Sequence, residues 1–158
     1  MIKMCRALLL AGSVALLASG CASGPQYKEM ASSIPTLAAD HGRIYFFRSG
    51  SVFGAGLQPQ IKLNGQAVGQ SKPGGFFYVD EPAGQYTVST ATETEKTVSF
   101  ALDAGETKYV RTSVALGVLV GRVVPSLEDS AVAMEAISDL KYSRGETQAA
   151  QSKDSQSK

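Results

Sequence analysis

The chain has no tryptophan, one histidine and two cysteines among its 158 residues. With so few imidazoles and thiols, a metal site of clustered His and Cys ligands is excluded by count. Charge of one sign is lacking as well: 15 basic residues oppose 14 acidic ones. No basic stripe with interleaved aromatics marks a nucleic-acid surface, and the balance is not acidic enough to favour disorder. Catalytic motifs are equally scarce. There is no Gly-x-Ser-x-Gly elbow, and Gly54-Ala55-Gly56 lacks the third glycine of a dinucleotide loop, so it reads as a flexible crossing between strands. His41 lies beside Asp40 without a nucleophile motif near it. Asp80 and Glu81 are adjacent, which in a strand points them to opposite faces, so they read as turn-edge charges. The expectation is a non-enzymatic chain with no catalytic residues, no cofactor and no metal.

What is present begins with Lys3 and Arg6, continues with an apolar stretch over 7–17, and closes on Ala18-Ser19-Gly20 before Cys21. This is the layout of a secretory signal peptide, and the apolar stretch is far short of the roughly 20 residues of a spanning helix. Small residues followed by Cys resemble the bacterial lipobox, although Ala18 stands where leucine is usual. That resemblance implies cleavage between Gly20 and Cys21, diacylglycerol on the Cys21 thiol, and often acylation of the new amino group. Two or more acyl chains anchor a protein stably, whereas one does so only marginally. The alternative is an ordinary signal peptide cut at a nearby Ala-x-Ala-like site, which leaves Cys21 unexplained. The other thiol, Cys5, lies in the removed segment, so no intrachain disulfide survives processing. Removal of Lys3 and Arg6 leaves 13 basic against 14 acidic residues. Ala22 follows the Cys where an inner-membrane retention signal usually has aspartate. The expected place is the cell envelope, at the outer membrane facing the periplasm in a Gram-negative host, with the bilayer as partner through acylated Cys21.

After the signal segment, 1–20, the chain divides into three parts. Residues 21–41 are rich in Ser, Ala, Gly and Pro and read as a lipidated Cys and flexible tether. Residues 143–158 hold mainly Ser, Gln and Lys and read as a disordered polar tail. Between them, 42–142 is a single-domain length. Its first strand carries Ile44, Phe46 and Arg48 on one face and Tyr45, Phe47 and Ser49 on the other, as expected of a strand covered on both sides near the middle of a sheet. Gln60-Ile61-Lys62-Leu63 alternates cleanly, and Asn64-Gly65 after it is the strongest short hairpin signal. Further strands are read over 66–68, 76–79, 85–91, 97–102 and 107–116, separated by Gly- and Pro-containing turns. The fold class is mainly β: a small antiparallel sandwich or partly open barrel of about seven strands.

The apolar run 114–120 is too short to cross a bilayer and reads as a buried strand. Pro125 is expected to stop the sheet, and Ser126 to cap a closing helix over 126–140 whose Leu127, Ala131, Met134, Ile137 and Leu140 recur at helical spacing.

Gly42-Arg43-Ile44-Tyr45-Phe46-Phe47-Arg48, Gln58-Pro59-Gln60-Ile61-Lys62-Leu63-Asn64-Gly65, Pro73-Gly74-Gly75-Phe76-Phe77-Tyr78-Val79 and Glu106-Thr107-Lys108-Tyr109-Val110-Arg111 resemble the bacterial lipoprotein family catalogued as domain of unknown function 2846. The resemblance implies architecture and cell location but no activity. Asn64-Gly65 through Ala83-Gly84-Gln85-Tyr86-Thr87-Val88 is also similar, over a short stretch, to PEGA-type envelope β-domains.

Two features read as contact sites. Tyr109, Arg111 and Ser113 share a strand face, and Arg48 and Arg122 flank other apolar strands, so guanidinium groups could line a cleft for an anion; the competing reading is rim arginines or an internal ion pair. Phe53, in the glycine-rich stretch 50–56, is either an exposed aromatic anchor or folds back onto the core. The leading expectation is an anchored envelope lipoprotein acting through protein or peptidoglycan contacts. The alternative is a periplasmic ligand-binding or sensing module for a small anionic or saccharide ligand.

Overall fold

The computed structural model describes residues 21–143 and 145. The signal segment 1–20 and the tail residues 144 and 146–158 lie outside the described residues. Among the described residues, no helix is long and apolar enough to cross a membrane.

Among the described residues, nine strands form two sheets. They are β1 (His41–Arg48), β2 (Gln60–Leu63), β3 (Gln66–Gln70), β4 (Gly75–Pro82), β5 (Gly84–Ala91), β6 (Glu95–Leu102), β7 (Thr107–Ala115), β8 (Arg122–Leu127) and β9 (Lys141–Tyr142). The first sheet has the order β8-β7-β1-β4-β9 and the second β3-β2-β5-β6. The architecture is a mainly β, sandwich-like fold without a closed barrel. The first sheet is mixed rather than antiparallel throughout, because β1 pairs in parallel with β7, and β4 with β9.

β1 is central, and every residue from Gly42 to Arg48 is buried, as its two apolar faces require. Ile44 and Phe46 face the second sheet and, with Phe77 and Val110 of their own sheet, form a buried cluster with its Ile61, Leu63 and Val88. Phe46 and Phe77 stack at 4.9 Å, an arrangement worth about 0.5–1.5 kcal/mol beyond the area it buries. Tyr45 and Phe47 face the other way, onto Phe76, Tyr78 and a third, helical layer. Asn64 and Gly65 take φ of 48° and 84°, the two positive values of a type I′ turn, and join β2 to β3 as the sequence predicts.

Five expectations are corrected. Residues 22–34 are not a free tether. Helix α1 (Tyr27–Met30) lays Tyr27 edge-on against Tyr45 and Phe76 at 6.0 and 5.5 Å. The N–H of Gly24 donates to Tyr142 O, and that of Tyr142 to Pro25 O. The Ser/Ala/Gly composition hid Tyr27, Met30 and Ile34, whose spacing of three and four gathers them on the helical layer. The closing helix, α2 (Ser130–Ile137), is capped by Asp129 rather than Ser126: Asp129 Oδ1 accepts the N–H of Ala131 at 2.9 Å. Its buried residues are Ala133 and Ile137, not Ala131 and Met134. Pro125 and Ser126 belong to β8, paired with Thr112 and Arg111 of β7; an edge strand tolerates a proline that an inner one does not. The run 114–120 does not form a buried strand either. β7 ends at Ala115, and Leu116, Val118, Leu119 and Val120 are exposed. Asp80, finally, is no loose turn charge: it lies opposite Arg43 across the β1–β4 ladder and holds its guanidinium through two hydrogen bonds of 2.6 and 2.7 Å.

Candidate functional site

The strand directions bring several segments to one end of the sandwich. β1 and β7 run parallel, so Arg48 and Ala115 arrive there together. β4 departs beside Arg48, at Gly75, and a Cβ on Gly75 would touch Ala22, which places Cys21 at the same end. β5 and β6 contribute their connection there too, since Thr90 Oγ1 donates to Val123 O and the N–H of Val123 donates to Thr92 Oγ1.

Arg48 organises the loop that follows β1. It is 3% exposed, and its two terminal nitrogens donate to the carbonyl oxygens of Leu57, Ser71 and Gly54. Burial pushes its pKa down. A planar, multi-donor guanidinium can gather three carbonyls that a lysine ammonium at the end of a single stem cannot. The segment 50–59 is therefore folded back and pinned, not the flexible crossing its glycines suggest, and Val52 and Phe53 ride on its outer side, 95% and 58% exposed.

Arg48, Phe53 and Arg111 come together. With Ser49, Ser51, Thr112 and Ser113 they line a cavity of about 210 Å³. Arg111 Nε lies 2.9 Å from Glu128 Oε2 at an angle that makes no hydrogen bond, and its guanidinium carbon sits 5.2 Å from the centre of the Phe47 ring. Tyr109 and Arg122 do not join this cavity. Tyr109 stacks on Tyr45 at 5.4 Å, where burial pushes its phenol pKa up. Arg122 opens β8, with its Nε buried and without a hydrogen-bond partner. His41 Nδ1 contacts Asp40 at 2.8 Å at the opposite end. Among the described residues no three His, Cys, Asp or Glu side chains gather as a metal-ligand set.

Cys21 is an exposed free thiol. A largely apolar groove of about 650 Å³ runs from it past Ala22, Val52, Pro73 and Leu140 to Lys141. The loop after β7 lies nearby: a Cβ on Gly54 would strike Val114, and one on Gly121 would meet Leu57. This loop was missed as a surface feature by sequence reasoning. The signal available was its bracketing by Gly117 and Gly121, punctuation that argues against a continuous strand. Glu93 was missed too; its carboxylate accepts the backbone N–H groups of Val118 and Leu119.

Fold and site together define a two-sheet β-domain with one helical outer layer and one end crowded with loops, two of which display apolar side chains. The family described as "Protein of unknown function (DUF2846)" matches residues 38–123, and the chain belongs to it. The match runs from β1 into β8 and so takes in both sheets, while α1, α2 and β9 fall outside it. An uncharacterized protein of Haemophilus influenzae is 27% identical over 113 residues, covering 68% of this chain and 67% of the relative. No solved structure matches the chain.

Proposed function

We propose that this is a lipid-anchored protein of the bacterial cell envelope, held on the membrane by acylated Cys21, and in a Gram-negative host on the outer membrane facing the periplasm. Its non-enzymatic β-domain then acts through contacts with envelope proteins or peptidoglycan. The observation that carries the reading is the sequence around Cys21: a charged start, a short apolar stretch and small residues up to a thiol. The exposure of that thiol agrees with it. With 22–34 packed on the domain, the anchor would sit directly against the sandwich, giving little reach across the periplasm. Cys21→Ser is expected to abolish labelling by a fatty-acid probe and to release the protein from membranes. Retention of the unlabelled variant on membranes would sink the proposal.

A second reading is favoured by the convergence of Arg48, Phe53 and Arg111 on one cavity. Arg111 in its wall lies 2.9 Å from Glu128 Oε2 without a hydrogen bond to it, and its guanidinium donors are suited to a small anionic ligand. Thermal shift with phosphate and with sugar acids tests it. A saturable shift that Arg111→Ala removes supports the site, and a shift that Arg111→Ala leaves intact discards it.

A further inference from the structure

We infer that the end of the sandwich carrying Cys21 is a membrane-seating face, with the loops 50–57 and 116–121 inserted into the interfacial layer of an anionic phospholipid bilayer. The inference rests on the proposed anchor at Cys21 and adds an orientation to it. An anchor alone leaves the domain free to tumble at the surface; a second contact fixes which end points down.

Three observations support it. Val52, Phe53, Leu116, Val118, Leu119 and Val120 are all exposed, and the strand directions bring both loops to one end rather than scattering them. Apolar side chains concentrated in this way mark a contact surface, unlike singly exposed ones. The groove beside Cys21 takes in Val52 of the first loop, so acyl chains on the thiol would leave the protein next to that loop.

Charge follows the same axis. No charged residue occurs over 49–61 or 112–121, Lys141 lines the groove beside Cys21, and of the charges at the neighbouring β5–β6 turn (Glu93, Glu95 and Lys96) Glu93 is bonded to the backbone of Val118 and Leu119. Asp139, which also lines the groove, is paired with Lys28 at 2.7 Å. The opposite end carries Asp40, Glu81, Asp103 and Glu106 in its turns and strand ends. A partner protein would need an apolar cleft matched to two separate loops; a bilayer accepts both without such a match.

Backbone chemistry fits as well. Irregular chain enters an apolar phase only when its polar groups are satisfied, and the N–H groups of Val118 and Leu119 are already taken by Glu93. Insertion of such segments reaches roughly 5–10 Å, to the boundary between headgroups and acyl chains.

Because the chain has no tryptophan, one introduced residue is its sole indole emitter. Full-length protein carrying Leu119→Trp, Phe53→Trp or, as a far-end control, Ala104→Trp is reconstituted into phosphatidylethanolamine–phosphatidylglycerol vesicles. A fraction of the lipid is brominated high on its acyl chains, and mass spectrometry of Cys21 records acylation separately. The expected result is blue-shifted emission, quenched for the most part by the brominated lipid, at positions 119 and 53, with position 104 unaffected. Acylated, vesicle-bound protein with unquenched emission at 119 and 53 overturns the inference and leaves the anchor standing. If Cys21 is unacylated the anchor reading fails, and quenching after addition of vesicles still decides for or against the face. Quenching at 104 equal to that at 119 overturns the orientation. A blue shift that grows with protein concentration but ignores bromine assigns the face to a second copy and overturns the inference.

Discussion

The carboxylate of Glu93 accepts the backbone N–H of Val118 through both oxygens, at 3.0 and 2.9 Å. It reaches from the β5–β6 connection to the loop after β7, and Oε1 also takes the N–H of Leu119 at 3.0 Å. A Cβ on Gly117 would run into the same carboxylate, so the approach is close. Charge-assisted bonds of this kind are stronger than neutral ones.

Glu93→Ala is therefore expected to free the loop while sparing the core. Amide hydrogen exchange should show Val118 and Leu119 losing protection, with β1 unchanged. Because the loop lies outside both apolar clusters, global stability should fall by about 1 kcal/mol or less. Loss of protection throughout β1 would show that the contact supports the whole sandwich.

Gly69 faces the ring of Phe77, and a Cβ there would lie 2.5–2.9 Å from three ring carbons. Phe77 is 2% exposed and stacked on Phe46, so the ring has nowhere to retreat. Gly69→Ala should cost about 1–3 kcal/mol in urea denaturation, as overpacking does. An unchanged midpoint would mean that β3 shifts to make room.

Arg43 and Asp80 form a two-bond ion pair, and Arg43 also donates to Pro35 O. Its side chain is 11% exposed and lies over the Tyr78 ring at 4.7 Å. The Asp80 hydrogen bond, the largest influence, holds the Arg43 pKa above its ordinary value against the opposing effect of burial. Asp80→Asn leaves this guanidinium without its counter-charge and should cost about 2 kcal/mol. With Asp80 intact, Arg43→Lys should also lower the midpoint of chemical denaturation, because an ammonium cannot serve Asp80 bidentately and Pro35 together.

Glu106 lies below its ordinary pKa of 4.5, first through its bond with Lys108, then through the N–H of Asp103. A lowered carboxylate stabilises the fold above its unfolded pKa and loses that contribution as pH falls through the folded value. Glu106→Gln should therefore weaken the protein at pH 7, and the gap from the parent should close on acidification from about pH 4.5 downward. Thermal midpoints across pH read this directly. A gap that widens toward acid would reverse the sign of the argument.

Much of the sandwich is legible in the residues. β1 announces its central place because Ile44 and Phe46 oppose Tyr45 and Phe47, and a strand apolar on both faces has to be covered twice. Asn64-Gly65 announces its turn because both residues accept positive φ. The boundaries near the ends are not legible. Asp129 and Ser126 are both competent caps, and pairing of 122–127 with β7 decided between them. Of the five contact residues named from spacing, Arg48, Phe53 and Arg111 converge on one cavity and Tyr109 and Arg122 do not. Spacing reports the face of a strand but not what folds over it.

The sequence by itself determined the alternation, the turn chemistry and the thiol at Cys21, because these depend on residues close in the chain. Tertiary structure alone decided that 22–34 pack on the first sheet, that Glu93 holds Val118, and that two uncharged loops meet beside Cys21. Each of these depends on segments distant in sequence, brought together by sheet order and by the parallel course of β1 and β7. An apolar run such as 114–120 has the same composition whether it is buried or displayed; only its neighbours in space distinguish the two.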